Sequence, residues 1–423
     1  MESIKLEEFN HWWTRKEVDS ELALPFKRNI YLEIRENLDN KFILSLTGLR
    51  RIGKTTLMYQ LIDFLLKKKI SAENILFFSF DETNVKISEV LDLYKEFQKK
   101  DFREEKVYVF LDEIQKCNNW ENELKKYYDL YPKLKFIITG SESLFIKKKT
   151  KESLAGRMLD FTLFTFSFKE FLKFNEISDS DFKYETKIKP FFVKFVENGG
   201  FPETFNLDSK KYFEYLRALV VDKIIFRDIP KSFNLEDPEF LKNLLELISC
   251  NPGMYIDYQS LGKQFGKDRR IVKNYIFYLK ESFLISLLGN YRKGTTTLRK
   301  NKRAYPNDTG LIRLHKNSID ELMFSKMVEN IFVIFLKANA FWKDKLEVDI
   351  IKNGVPIEVK YRERIDSEDF NALRRFMKKF DQKKGILITK NESGKKSFEE
   401  GEIELIPAWR FLLRDKEDKI CGV

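Results

Sequence analysis

The sequence predicts an α/β chain. A parallel sheet covered on both faces fills the first 165 residues, a helical stretch follows, and a mixed α+β segment ends it. Three observations support this. Short, β-rich apolar runs at Phe42–Thr47, Ile75–Phe80, Val107–Leu111 and Phe136–Thr139 alternate with helical-period segments such as Thr55–Lys68 and Ile87–Lys99. A glycine-bounded turn joins the first run to the first such segment. Near the C-terminus, Asn353-Gly354 separates two alternating runs and predicts a hairpin. A fifth strand is expected at Met158–Phe164, and a Phe-rich helical reading from Ser167 to Ile229 is broken at Gly199-Gly200-Phe201-Pro202.

Composition excludes several classes. With 43% hydrophobic residues and 40 Phe among 423, a largely disordered chain is ruled out. No apolar run approaches the roughly 18–20 residues that span a bilayer. The start, MESIKLEEFNHWW, lacks a basic stretch followed by an apolar one, so no signal peptide is expected. Three cysteines lack disulfide or metal spacing, and two histidines leave no material for a His-based metal site or a Ser-His-Asp triad. A reducing, cytoplasmic setting is the expectation. The net charge of +11 suits a polyanionic partner, but it equally suits a solvated surface.

The strongest motif is Gly48-Leu49-Arg50-Arg51-Ile52-Gly53-Lys54-Thr55, followed by Thr56. It fits G-x-x-x-x-G-K-[ST], with a strand before it and a helix after it. That arrangement aims backbone N–H groups and a helix N-terminus at an anion. Lys54 would neutralise the β- and γ-phosphates, and the Thr55 hydroxyl would ligate Mg2+. Arg50 and Arg51 are unusual there; contact with phosphate and contact with a neighbouring acid both fit.

The run Val107–Leu111 ends in Asp112-Glu113. An acid at a strand's C-terminal end lies where ligands bind in open α/β sheets. Asp112 would hold Mg2+, and Glu113 would polarise the attacking water as general base. No Asn-Lys-x-Asp guanine-reading motif occurs, so ATP is preferred to GTP. In Phe136-Ile-Ile-Thr-Gly-Ser141, a strand-end hydroxyl would contact the γ-phosphate or the water; Ser141 is the first choice and Thr139 the second. Arg157, after a small-residue turn, suits transition-state charge, in cis or from another subunit.

Together these residues resemble an archaeal and bacterial group of AAA-type ATPases with an appended C-terminal domain of unknown function. The matching stretches are GLRRIGKTTL, VFLDEIQ then NNWENELK, IITGSESLF, SLAGRMLDF, FSFKEFL and GGFPE. YPNDTGL, VENIFV, EVDIIKNGVPIEVKY and IPAWRFLL follow, so the resemblance runs from about Lys27 to Leu413. It implies an AAA-type core, a helical lid, a winged-helix segment and a domain similar to the restriction-nuclease fold. It also implies ATP and Mg2+ at Gly48–Thr55 and Asp112–Glu113, with a sensor near Ser141. The expected division is a leader over 1–26, the ATPase core over 27–165, the lid over 166–235, the winged helix over 236–312 and the nuclease-like domain over 313–423.

In the winged-helix segment, Tyr258–Phe265 and Asp268–Leu279 read as helices joined by Gly266-Lys267, before a strand pair with Gly289 and Gly294 as turn residues. The second helix carries Arg269, Arg270, Lys273 and Lys280. The ribbon carries Arg292, Lys293, Arg299, Lys300, Lys302 and Arg303, with no acidic residue among them. Such a helix fits a DNA major groove and such a ribbon fits phosphates; a packing module with a solvated face fits as well.

The C-terminal hairpin, Glu347-Val-Asp349 to Glu358-Val-Lys360, would set Asp349 opposite Glu358 and Glu347 opposite Lys360, all on one face. Val348, Ile350, Ile357 and Val359 would share the other. Like charges face to face are destabilising unless a cation lies between them. Asp-x8-Glu-x-Lys is also the acidic hairpin of restriction-type nucleases. Asp349 and Glu358, with Glu329 from the preceding helix, would then form a second metal site served by Lys360. A solvated face, or a fold that has lost catalysis, fits the same pattern. The functional expectation is therefore an Mg-dependent ATPase that acts on DNA through its rear domains. The competing reading is a nucleotide-switched module that binds a partner protein or further copies of itself.

Overall fold

The computed structural model describes residues 5–81, 85–140, 154–205, 207–233, 235–292, 302–316 and 318–414. They separate into two compact units, Met1–Phe164 and Thr165–Val423.

The first unit is built on five strands: β1 (Ile43–Thr47), β2 (Ile75–Ser79), β3 (Val107–Asp112), β4 (Leu134–Gly140) and β5 (Met158–Thr162). Their order is β2-β3-β4-β1-β5, and every pairing is parallel. All residues of β1, β3 and β4 are buried, which is why these strands read as continuous apolar runs. β4 lies between β1 and β3, so the strand carrying the loop and the strand carrying the acids are not neighbours.

Among the described residues six α-helices accompany this sheet: α1 (Leu6–Phe9), α2 (Trp12–Arg15), α3 (Ile30–Glu36), α4 (Lys54–Lys67), α5 (Ile87–Gln98) and α6 (Trp120–Leu130). α5 buries Ile87, Val90, Leu91 and Tyr94, the i, i+3, i+4, i+7 stripe of a surface helix. The segment expected as a leader packs within this unit. Trp12 and Trp13 are buried, and both indole N–H groups donate to the Ile75 carbonyl at 3.2 and 2.9 Å. The Asn10 amide brackets Phe77, donating to its carbonyl at 2.9 Å and accepting from its N–H at 2.7 Å. The free edge of β2 is thereby covered.

The second unit begins with α7 (Phe168–Phe174) and α8 (Glu185–Asn198). α7 starts with a capping box between Ser167 and Glu170. A helical stretch from α9 (Ser209–Glu214) to α10 (Ile229–Phe233) follows, widened between them at Tyr215–Val221 and Ile224–Asp228. Next come α11 (Pro238–Cys250), β6 (Met254–Ile256), α12 (Tyr258–Phe265), α13 (Arg269–Glu281), β7 (Ile285–Asn290) and β8 (Lys302–Pro306). β8 pairs antiparallel with both β6 and β7. α14 (Thr309–His315) and α15 (Glu321–Phe335) lead into β9 (Ala340–Lys343), β10 (Glu347–Lys352) and β11 (Val355–Lys360). α16 (Asn371–Phe380), β12 (Lys384–Thr389), β13 (Gly394–Phe398), β14 (Gly401–Pro407) and α17 (Ala408–Leu412) complete the unit.

Its nine strands form one sheet, β13-β14-β12-β11-β10-β9-β7-β8-β6. The junction is a short parallel pairing, Gly289 with Ala340 and Asn290 with Phe341. Gly289 is thus a strand residue and not the turn residue expected; Gly294 lies outside the described residues. The Asn353-Gly354 turn forms as expected, both residues in the left-handed region, with Ile350 opposite Ile357 and Lys352 opposite Val355. The expected alternation fails beyond it. The β9–β10 register shifts between Val348 and Ile351, and those two residues, rather than Val348 and Ile350, join the core cluster around Leu373 and Phe376.

A buried clasp ties two glycine turns together. Asp308 accepts from the N–H of Gly200 at 2.9 Å and of Gly310 at 2.7 Å. A Cβ on Gly199, whose φ is +73°, would come within 1.8 Å of the Asp308 carboxylate. This close approach accounts for the glycines of GGFPE and the Asp of YPNDTGL.

Candidate functional site

The loop Gly48–Gly53 leaves the C-terminal end of β1 and turns into α4. Leu49 and Ile52 are buried and anchor it. Gly48 has no room for a side chain: a Cβ there would lie 2.2 Å from the Leu163 carbonyl oxygen. Gly53, at φ +89°, has nothing within 4 Å of its virtual Cβ, so its α-carbon faces open space. The loop thus pairs a tight end with an open one. A buried arginine not singled out in the sequence braces it: Arg28 donates to the Ile52 carbonyl at 2.9 Å and to the Phe164 carbonyl at 2.8 Å.

Lys54 is buried, and its ammonium donates to the carbonyls of Gly48 and Leu49 at 3.1 and 2.8 Å. The positive charge therefore lies across the mouth of its own loop. Thr55 Oγ1 donates to Asp112 Oδ2 at 2.8 Å, and Thr139 Oγ1 donates to the other carboxylate oxygen. The Thr139 hydroxyl also accepts from the Glu113 N–H at 3.0 Å. Glu113 itself is in the left-handed region, at φ 52°, and accepts from Gln115 Nε2 at 2.5 Å. Burial, and then the Asp112 charge, push the nearby Tyr59 phenol up to about 12.

The structure brings together Gly48, Gly53, Lys54, Thr55, Asp112 and Glu113, and adds Thr139, the second choice for the hydroxyl. Ser141, the first choice, lies outside the described residues. Thr56 is half-buried in the first turn of α4. Arg50 and Arg51 flank the open end, Arg51 with a left-handed φ of 62°.

Arg157 is not part of this group. β5 runs parallel to β1 with Met158 opposite Ile43 and Thr162 opposite Thr47. Arg157 therefore sits at the start of this strand pair and the loop at its end, about 16 Å away at roughly 3.3 Å per residue. Its guanidinium grips Asp129 at 2.9 and 3.2 Å. Within one chain this register sets Arg157 and the loop at opposite ends of the strand pair.

The acids of the second unit also depart from expectation. Asp349 and Glu358 are adjacent, but each bonds the other's strand: Asp349 N donates to Glu358 Oε2 at 3.3 Å, and Val359 N donates to Asp349 Oδ2 at 3.0 Å. Lys360 pairs with Glu358 at 2.6 Å, not with Glu347. Glu329, Glu347 and Asp349 all turn to Arg303, at 2.8, 3.1 and 3.5 Å. Among the described residues no group of three carboxylates is set to hold a metal ion. In this structure a buried guanidinium and an ammonium pair with the carboxylates of the expected second metal site, Glu329, Asp349 and Glu358. Burial, and then the Asp349 charge, raise both Glu329 and Glu358 above the ordinary carboxylate range.

The basic helix α13 buries Val272, Tyr275, Ile276 and Leu279, and leaves Arg269, Arg270 and Lys273 exposed. The Lys302 ammonium is pushed below its usual value by burial and by Lys280 and Lys273 beside it. Lys293, Arg299 and Lys300 lie outside the described residues.

A parallel sheet with a glycine loop opening onto a helix, and an Asp-Glu pair ending a strand two places away, is the arrangement of a P-loop fold. Residues 40–172 match the model of a family described as the AAA domain. Residues 190–321 match a family described as a domain of unknown function. Among known sequences, an uncharacterized protein of Haemophilus influenzae is 25% identical, covering 77% of this chain and 82% of that one. An uncharacterized protein of Methanocaldococcus jannaschii is 26% identical, covering 86% and 87%. Among solved structures, a Thermotoga maritima RuvB variant aligns at 17% identity and a TM-score of 0.30, covering 63% of this chain and 87% of that one. Aquifex aeolicus DnaA bound to AMPPCP aligns at 14% and 0.30, covering 60% and 86%. No helix among the described residues is long and apolar enough to cross a membrane.

Proposed function

We propose that the first unit binds ATP with Mg2+ and hydrolyses it. The observation that carries this reading is the 2.8 Å bond from Thr55 to Asp112, which joins two motifs 57 residues apart at the mouth of the loop. The donor set fits the group: a hydroxyl and a carboxylate for a hard cation, an ammonium and backbone amides for phosphates. When bound, Mg2+ would screen the phosphate charge, held by Thr55 and Asp112. Lys54 would leave its carbonyls for the β- and γ-phosphates. Glu113 would take a proton from the attacking water, with Thr139 fixing its backbone and Gln115 its carboxylate. Arg157 would act at nucleotide only across a contact between copies of the chain.

Calorimetry tests this. Saturable, Mg-dependent ATP uptake is expected, and Lys54→Ala abolishes it. Glu113→Gln keeps uptake while turnover falls about 10²- to 10⁴-fold. Unchanged turnover in Glu113→Gln removes the base assignment.

For the second unit we propose a helical lid, a winged helix over 236–312 and a restriction-nuclease-like fold beyond, in a cytoplasmic protein. The order helix, strand, two helices, two strands around the exposed Arg269, Arg270 and Lys273 favours double-stranded DNA as client. Binding should weaken steeply with salt and fall in the Arg269→Glu, Arg270→Glu double variant. Indifference to both favours a protein partner.

A further inference from the structure

Arg303 belongs to a run of basic residues that suits phosphate, yet it is 8% exposed. Its Nε donates to the Gly253 carbonyl at 2.9 Å. Nη2 meets Glu329 at 2.8 Å, and Nη1 meets Glu347 at 3.1 Å and Asp349 at 3.5 Å. The guanidinium lies over the rings of Tyr305 and Phe341, 5.2 and 5.8 Å from their centroids. Tyr305 in turn donates its hydroxyl to Glu329 at 2.6 Å. Gly253 leaves the space: a Cβ there would come 2.6 Å from Nη2.

A planar cation gripped on its edge by carboxylates and a carbonyl, and flanked on its faces by rings, is a guanidinium site. We propose that the pocket between β8, α15 and β10 is a guanidinium-binding site filled by the chain's own Arg303, and that this occupancy keeps divalent cations off Glu329 and Asp349. The acids most suggestive of metal-dependent cleavage are thus satisfied from within. The same contacts fasten β8 to β10 and α15.

Two measurements on the full-length, nucleotide-free protein decide this. The first is Mn2+ uptake, followed by the loss of the free-ion electron paramagnetic resonance signal. Wild type and Asp349→Asn should take up the same amount; one equivalent lost in Asp349→Asn overturns the proposal. The second is chemical rescue. Arg303→Ala should melt several degrees below wild type, and millimolar methylguanidinium should recover much of that loss without raising the wild type. An Arg303→Ala protein whose melting temperature ignores methylguanidinium overturns it equally. If Arg303→Ala does not fold, the Mn2+ comparison, which needs only the conservative Asp349→Asn, still decides.

Discussion

Lys135 illustrates how much a single side chain does in the first unit. It sits on β4, buried, and its ammonium reaches the carbonyls of Asn37, Asn40 and Phe42 and the Asn40 side chain, at 2.6 to 2.9 Å. These oxygens belong to the turn between α3 and β1, so one lysine satisfies a bend that has no ladder of its own. Lys135→Met should cost about 2–4 kcal/mol by leaving several carbonyls without donors, read as a shift in denaturant midpoint. At the same scale, the convergence of Lys54, Thr55, Asp112 and Glu113 at one end of the sheet was legible because motif spacing places them there. Thr139, which the structure sets against Asp112, was only the second choice, since two strand-end hydroxyls compete in one short stretch. Arg303 was not legible as a buried group. A run of basic residues does not say which one turns inward, and its carboxylate partners lie 26 to 46 residues further along.

Among the elements, the strands of the first sheet were readable because burial on both faces leaves uninterrupted apolar runs. The hairpin was readable because Asn-Gly selects a two-residue turn. The role of the first residues was not. α1 and α2 are four residues each, too short for a periodic signal, and their contribution lies in Asn10, Trp12 and Trp13 against β2. Trp12→Ala together with Trp13→Ala should destabilise by roughly 3–5 kcal/mol per buried ring at most and uncover the β2 edge. The check is a concentration-dependent rise in light scattering with the mutant and not with wild type. The distance of Arg157 from the loop has an equally simple cause. Sequence order puts it near the motifs, but parallel pairing returns the chain to the far end of the sheet before β5 begins.

For the molecule as a whole, buried acids tune stability with pH. Asp308 is raised to about 6, chiefly by burial, while the N–H groups of Gly200 and Gly310 oppose the rise. Its folded pKa exceeds its unfolded one, so between about 4 and 6 the folded state holds more protons. The contribution is present at low pH and is lost as pH rises through that window. The gap between the folded and unfolded values corresponds to roughly 3 kcal/mol. Asp308→Asn, which cannot ionise, should flatten the fall in urea midpoint across that range; a slope identical to wild type would refute the assignment. The two units were separable in outline from the sequence. The unbroken sheet of the second was not, because two rungs of pairing between β7 and β9 leave no trace in composition.

Those two rungs, Gly289 with Ala340 and Asn290 with Phe341, limit how the second unit can be cut. A fragment ending at 312 would keep β8 beside β7 but strip away β9, baring the backbone groups of Gly289 and Asn290 that pair with it. The same cut would leave the Arg303 guanidinium in its pocket without a single anion. Such a piece would seek replacement strands from other molecules, so the basic helix is best studied with the rest of its sheet attached.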